Sequence, residues 1–216
     1  MEKFEVLEAV AAPLGFRDVD TDRIIPARFL SKPRSFGLGK FAFHDMRYDD
    51  AGNERPEFPL NQAPFREARI IVADTNFGCG SSRESAVWAL ADTTSAPVHV
   101  GFRCVIAPSF GDIFYNNCSK NGVLAVRLAK EVCDGLRAQL EANPGATVHV
   151  DLPNQTVTAP DGTKHSFEID DFRKHCLVNG LDDVALTLQY ADEIADYEAN
   201  AKKARPWALD REEAAR

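Results

Sequence analysis

The stretch Arg69-Ile70-Ile71-Val72-Ala73-Asp74-Thr75-Asn76-Phe77-Gly78-Cys79-Gly80-Ser81-Ser82-Arg83-Glu84-Ser85-Ala86 carries most of the information about the fold. Its opening apolar run, Ile70 to Ala73, reads as a buried strand. Two glycines then turn the chain into a segment from Ser81 to Ala91 that reads as a helix. The alternation continues downstream. Cys104-Val105-Ile106-Ala107 reads as a second buried strand, and Phe110 to Cys118 as a helix ending near the C-cap pair Asn121-Gly122. Val123 to Leu128 reads as a third strand, and Lys130 to Ala142 as a helix closed by Asn143-Pro144-Gly145. Strands alternating with helices in this way predict an α/β sheet.

Upstream, Phe4 to Val10 reads as a strand with imperfect alternation, followed by a polar turn from Arg17 to Arg23. Residues 31–64 are rich in Gly, Pro, Asp and Asn with scattered aromatics, which predicts a long loop region carrying short helical pieces. Loops of that length tend to be functional. Downstream, Thr147 to Leu152, Gln155 to Ala159 and Thr163 to Phe167 read as strands, the last two joined at Pro160-Asp161-Gly162. Two helices are expected at the end, Asp171 to Val178 and roughly Leu186 to Ala201. The domain plan is therefore one mixed α/β domain over residues 1–204 with an insertion around 28–64, and a flexible tail over 205–216.

The 216 residues are long for one ordinary domain and short for two, at about 150 residues per domain. A net charge of −8 argues against nucleic acid or an anionic membrane as the main partner, while leaving room for a local cationic pocket. No apolar run approaches a membrane span, and Met1-Glu2-Lys3-Phe4-Glu5 begins neither a signal nor a transit peptide, so a cytoplasmic location is expected. The five cysteines, Cys79, Cys104, Cys118, Cys133 and Cys176, form no close pair. Neither a zinc site, a disulfide framework nor an iron–sulfur cluster held by this chain alone is expected from that spacing.

Chemistry concentrates in the Gly78-Cys79-Gly80 turn and the residues after it. Glycines let backbone approach a ligand without a Cβ in the way. Ser81-Ser82-Arg83-Glu84 has the spacing of a capping box, in which the Ser81 hydroxyl would accept from the Glu84 amide. Free amides at a helix start favour an anion, and Arg83 adds a charge suited to a carboxylate or phosphate. Plain capping accounts for the same residues equally well. A P-loop is excluded because Gly-Lys-Ser/Thr is missing, and a dinucleotide fingerprint because its third glycine is absent. Arg28, Lys32 and Arg34 could add positive charge from the loop. Asp20-Thr21-Asp22 could hold a metal or orient a hydroxyl, but its spacing reads first as an Asx-type turn.

Asn76 to Glu84 resembles the signature of the small subunits of 3-isopropylmalate dehydratases, in the aconitase superfamily. Val19 to Leu30 resembles that family's N-terminal signature, Val105 to Asn117 its central one, and Phe172 to Asp183 with Leu186-Thr187-Leu188-Gln189 its C-terminal part. The matches run in family order over nearly the whole chain. The resemblance implies an α/β fold of the aconitase type, a swivelling β/β/α domain whose mixed sheet is flanked by helices. It implies a large partner subunit that carries a 4Fe–4S cluster, with no metal or cofactor on this chain. The activity implied is a hydro-lyase reaction, moving a hydroxyl between adjacent carbons of isopropylmalate in leucine biosynthesis.

Carried over residue by residue, Ser81 corresponds to the general base, and Ser82 and Arg83 to residues that bind the dicarboxylate substrate. Arg34 corresponds to the substrate-binding loop arginine, and Thr21 and Asp22 to a supporting pair. A serine is a poor base unless cations and a positive helix end stabilise its alkoxide, which suits this surrounding. Two departures stand out: Ser85 where the family commonly has histidine, and Ala125 where proline is frequent. They leave open a related hydratase acting on citraconate or dimethylmalate. A non-catalytic interaction module and an anion-binding protein acting alone are the competing classes.

Overall fold

The computed structural model describes residues 1–92 and 101–208. The chain opens with β1 (Val6–Leu14), a short helix α1 (Thr21–Ile24) and a run of single 3-10 turns interrupted by α2 (His44–Arg47). The central alternation follows: β2 (Ile70–Ala73), α3 (Glu84–Ala91), β3 (Cys104–Ala107), α4 (Asp112–Lys120), β4 (Leu124–Arg127) and α5 (Lys130–Ala142). Then come β5 (Thr147–Asp151), β6 (Thr156–Thr158) and β7 (Lys164–Ser166), and the helices α6 (Asp171–Asn179), α7 (Asp183–Leu188) and α8 (Ala191–Ala204). Among the described residues, no helix is long and apolar enough to cross a membrane.

The seven strands form one mixed sheet in the order β4-β3-β2-β1-β5-β6-β7. β1 divides it. Its second half, Ala11 to Leu14, pairs parallel with Ile70 to Ala73, and its first half, Val6 to Val10, pairs antiparallel with Thr147 to Asp151. The parallel half is buried on both faces, as helical crossovers require. Ile71, Ala73, Val105 and Ala107 face α3, α4 and the aromatics of residues 29–65. Ile70, Val72, Cys104 and Ile106 face the opposite way, onto Cys133, Leu136 and Leu140 of α5. Period-two alternation therefore sends successive residues of one apolar run into two separate cores.

The expected loop over 31–64 is present as short helical pieces, and it is well packed. Phe29 and Phe41 stack at 4.0 Å, while Phe43, Phe58, Leu60 and Phe65 are buried against the sheet. Arg47, also buried, donates through Nε to Asn61 Oδ1 at 3.0 Å, and Asn61 Nδ2 donates back to the Arg47 carbonyl at 2.7 Å. Three boundaries differ from expectation. β1 starts at Val6 and runs on to Leu14, because Phe4 leaves the sheet to donate its N–H to the Leu177 carbonyl at 2.9 Å. The single helix expected over 186–201 is two helices. Asp182 caps α7 by accepting from Ala185 N at 2.8 Å, and the chain breaks at Gln189-Tyr190 before α8, none of whose residues is buried. Of the expected tail, Pro206–Ala208 forms a 3-10 turn, and residues 209–216 lie outside the described residues.

Candidate active site

Because β1, β2 and β3 are parallel, the loops leaving their C-terminal ends gather at one edge of the sheet, where α/β proteins place their ligands. Three stretches meet there: 15–20, 74–83 and 108–111. They are laced together by backbone hydrogen bonds. Gly78 N donates to the Val19 carbonyl at 2.7 Å, and Thr21 N donates to the Cys79 carbonyl at 2.9 Å. On the other side Phe77 N donates to the Ser109 carbonyl at 3.0 Å, and Gly111 N donates to the Phe77 carbonyl at 2.9 Å. The middle loop is thus held from both flanks as a short strand would be.

Side chains complete the frame. Asn76, with φ of 63°, donates through Nδ2 to Asp18 Oδ1 at 2.7 Å, and its backbone N–H donates to the Ser109 hydroxyl oxygen at 2.9 Å. Beneath the loop, Arg137 of α5 donates to the Ala73 carbonyl at 2.6 Å and lies 3.5 Å from the Asp74 carboxylate. Gly78 has φ of +71°, and a Cβ there would fall 2.2 Å from the Phe114 ring. Only glycine fits that backbone. Gly111 is required for a different reason: a Cβ on it would meet the Gly78 carbonyl oxygen at 2.5 Å.

Four of the six candidate site residues are joined by direct contacts. Thr21 Oγ1 donates to the Ser81 carbonyl at 3.0 Å, pinning the backbone of that residue. Arg83 Nη1 forms an ion pair with Asp22, which fixes the guanidinium on the Ser81 side of α1. Asp20 caps α1 by accepting from Arg23 N at 2.8 Å, so the Asx-type turn is present and Thr21 and Asp22 are aimed from it. Ser82, the fifth, is exposed beside them. Arg34, the sixth, is held by other partners. Its Nη1 donates to Asn121 Oδ1 at 3.2 Å, and its guanidinium sits 5.3 Å over the Trp88 ring.

The capping box is not formed. α3 begins at Glu84 with Arg83 as its N-cap residue, in extended backbone and with no side-chain cap. The Glu84 carboxylate instead accepts from Asn121 Nδ2 at 2.8 Å. The reason is the geometry of the turn. With Gly80 at φ +87° and Arg83 extended at φ −135°, helical backbone starts only at Glu84, so Ser81 stands two residues ahead of the N-cap position that a capping box requires. The consequence for chemistry is direct. The Ser81 hydroxyl is exposed and unspent, and no side chain caps the start of α3, where the Ala86 amide turns back to the Arg83 carbonyl at 3.1 Å.

Asn121 is the residue that sequence reasoning missed. It was legible only as a helix C-cap, yet its side chain joins Arg34, the Trp88 indole at 3.0 Å and Glu84 in one network. No local pattern marks a residue whose partners come from a loop and a helix so distant in the chain. The cysteines take no part in such a cluster: among the described residues no three His, Cys, Asp or Glu side chains gather as a metal-binding group. Burial pushes the thiols of Cys104 and Cys118 up, and that of Cys133 up to about 11. Cys79 is the one cysteine that is not buried. Its thiol is also raised, first by desolvation and then by the Asp20 and Asp18 carboxylates. Iodoacetamide at pH 8 should therefore label Cys79 ahead of the other four in the native protein, and all five in guanidinium. Peptide mapping reads this out, and equal early labelling of Cys104 or Cys118 would show the packing to be wrong.

Three family models match successive parts of the chain. They are the aconitase C-terminal domain over residues 1–131, LeuD_N over 134–171, and the C-terminal domain of the 3-isopropylmalate dehydratase small subunit over 183–211. The 3-isopropylmalate dehydratase small subunit of Jannaschia sp. (strain CCS1) is 54% identical over 207 residues, covering 96% of this chain and 100% of that protein. The protein of the same name from Rhodopseudomonas palustris (strain BisA53) is 54% identical over 208 residues, with the same coverage of 96% and 100%. Among solved structures, the crystal structure of 3-isopropylmalate dehydratase (leuD) from Methanocaldococcus jannaschii aligns with a TM-score of 0.60 at 27% identity. That alignment covers 89% of this chain and 99% of the other.

Proposed function

The chain belongs to the 3-isopropylmalate dehydratase small-subunit family, and on that premise we propose how its own side chains take part in the reaction. It is the small subunit of a hydro-lyase of leucine biosynthesis and works with a large subunit. Residues 1–204 act as one swivelling unit, with the 28–64 insertion as the substrate loop. The substrate is a small malate-type dicarboxylate, 2-isopropylmalate and its 3-isomer, and the complex works in the cytoplasm. The juncture of Ser81, Thr21, Asp22 and Arg83 at the sheet edge is the observation that supports this reading.

Ser81 Oγ takes the proton from the carbon beside a substrate carboxylate, the hydroxyl leaves from the adjacent carbon, and a double bond forms between them. Rehydration returns the proton and the hydroxyl to exchanged positions. Thr21 holds the Ser81 backbone so that the hydroxyl meets the C–H bond in one orientation. Arg83 uses one edge for Asp22 and presents the rest of its guanidinium to a carboxylate. Its charge and the uncapped start of α3 stabilise both the serine alkoxide and the charge that builds on the carboxylate. Arg34, now on Asn121 and Trp88, would have to leave them to reach the same anion.

The thiols of this chain do not fit a cluster, so we place the 4Fe–4S cluster on the large subunit. When bound there it supplies a Lewis acid for the departing hydroxyl. Every proton-handling role above belongs to this chain.

Arg83→Lys keeps the charge and loses the planar fork. With charge-assisted hydrogen bonds contributing about 1.5–3 kcal/mol, KM for isopropylmalate should rise roughly 10- to 100-fold in the reconstituted complex. Turnover of citraconate by the unmodified complex, without turnover of 2-isopropylmalate, would reassign the substrate while leaving the site intact.

A further inference from the structure

A cavity of about 870 Å³ lies apart from the Ser81 site and shares no residue with it. It opens where β4 ends, between the start of α5 and the β7–α6 connection. Its floor is apolar, formed by the buried Leu128 and Phe167 and the half-buried Val132 and Ile169. Its rim is cationic, formed by Arg127, Lys164 and Arg173.

The two rim guanidiniums are positioned by an aromatic ring and an amide, with no carboxylate on either. The Arg127 guanidinium lies 4.1 Å from the Tyr115 ring centroid and that of Arg173 lies 5.0 Å from the same centroid. Two like charges are thereby held on one aromatic ring, which attracts each of them and neutralises neither. Two carboxylates, Glu168 and Asp170, line the same cavity, yet among the described residues none forms an ion pair with Arg127, Lys164 or Arg173. The Asp170 carboxylate is occupied in capping α6, accepting from Arg173 N at 3.1 Å. Arg173 makes its side-chain hydrogen bond to Asn116 Oδ1 at 2.7 Å, which fixes the guanidinium without neutralising it.

We propose that this cavity is a second binding site, for a small organic anion with a carboxylate head and an aliphatic body. The head bridges Arg127 and Arg173 across the face of Tyr115, with Lys164 as the third cation, and the body rests on Leu128, Phe167, Val132 and Ile169. A bare inorganic anion satisfies the rim and leaves the floor wet, so the site favours an amphiphilic ligand over phosphate. Arg127 ends β4 and Ser81 lies in the loop that leaves β2, so both stand at the same edge of the sheet. One edge can then hold anions at two places.

The test is calorimetry on the full-length chain with 3-methylbutanoate as probe, against 3-methylbutanamide and inorganic phosphate. Saturable binding of 3-methylbutanoate is expected, at least tenfold weaker for the other two. Arg127→Gln should weaken it at least tenfold, and Arg83→Gln should leave it unchanged, which separates this cavity from the Ser81 site. Arg173→Gln, followed by circular dichroism to check folding, gives the same answer from the other side of the ring. Binding that survives Arg127→Gln and Arg173→Gln in folded protein, that is lost in Arg83→Gln, or that fails to saturate overturns the proposal.

Discussion

Replacing Ser81 by Ala lowers kcat of the reconstituted two-subunit enzyme by about 10³-fold, within the 10²–10⁴ that a positioned proton acceptor contributes. KM for isopropylmalate changes little, since Arg83 and its Asp22 partner remain in place. Assembly with the large subunit is also unaffected, because the Ser81 hydroxyl is exposed and holds nothing: the contact that fixes this residue runs through its carbonyl, which Thr21 Oγ1 reaches at 3.0 Å. The split between kcat and KM is therefore diagnostic. Steady-state assay with size-exclusion chromatography measures both. Retention of more than a tenth of wild-type kcat would remove Ser81 from the base role, and loss of assembly would make it structural.

Replacing Gly78 by Ala should destabilise the chain by about 3–5 kcal/mol, combining the positive-φ cost with overpacking. The methyl would meet Phe114 Cγ at 2.2 Å. That ring cannot yield easily, because it is itself buried at 2% exposure and packed edge-on against Phe77 at 5.5 Å. At roughly 2–4 °C per kcal/mol for a chain of this size, Tm falls by about 6–20 °C. Gly52 supplies the control. It has φ of +81°, yet a Cβ there meets nothing within 4 Å, so Gly52→Ala isolates the backbone cost at about 1 kcal/mol. Equal shifts for the two variants in a thermal melt would show that the Phe114 contact is not real.

Ser81→Ala and Gly78→Ala probe one turn, and that turn shows how far local sequence carries. The two glycines of 78–80 mark a close backbone approach by residue type alone, since no other residue takes φ near +71° or +87° without strain. The same stretch misleads over Ser81. Its spacing to Glu84 is that of a capping box, but the extended backbone at Arg83 and the pull of Asn121 on Glu84 leave the box unmade. A capping pattern competes with every tertiary partner its members can reach, and here the partner at the end of α4 wins. The result frees the hydroxyl that the proposed chemistry needs.

Arg34 shows the same limit from the other direction. Family likeness maps it to the substrate, while the fold stacks it on Trp88 and ties it to Asn121. Nothing in the composition of the loop distinguishes a guanidinium resting on an indole from one facing an anion. The break of the last helix into α7 and α8 is a milder case: a helix is expected from about Leu186, and the cap that Asp182 provides starts it at Asp183.

Element types along the central alternation were decided by the chain itself, because apolar run length, glycine placement and capping residues act within a few neighbours. So was the double burial of the parallel strands, whose unbroken apolar runs leave no polar face for water. Which strands become neighbours was decided only in three dimensions. β1 pairs parallel along one half and antiparallel along the other, and that single choice carries Thr21 and Asp22 to distant positions in the chain, Ser81 and Arg83. The hydrogen bonds that join them form between groups with no local relation, and closing so long a loop is compensated only when the whole sheet has assembled.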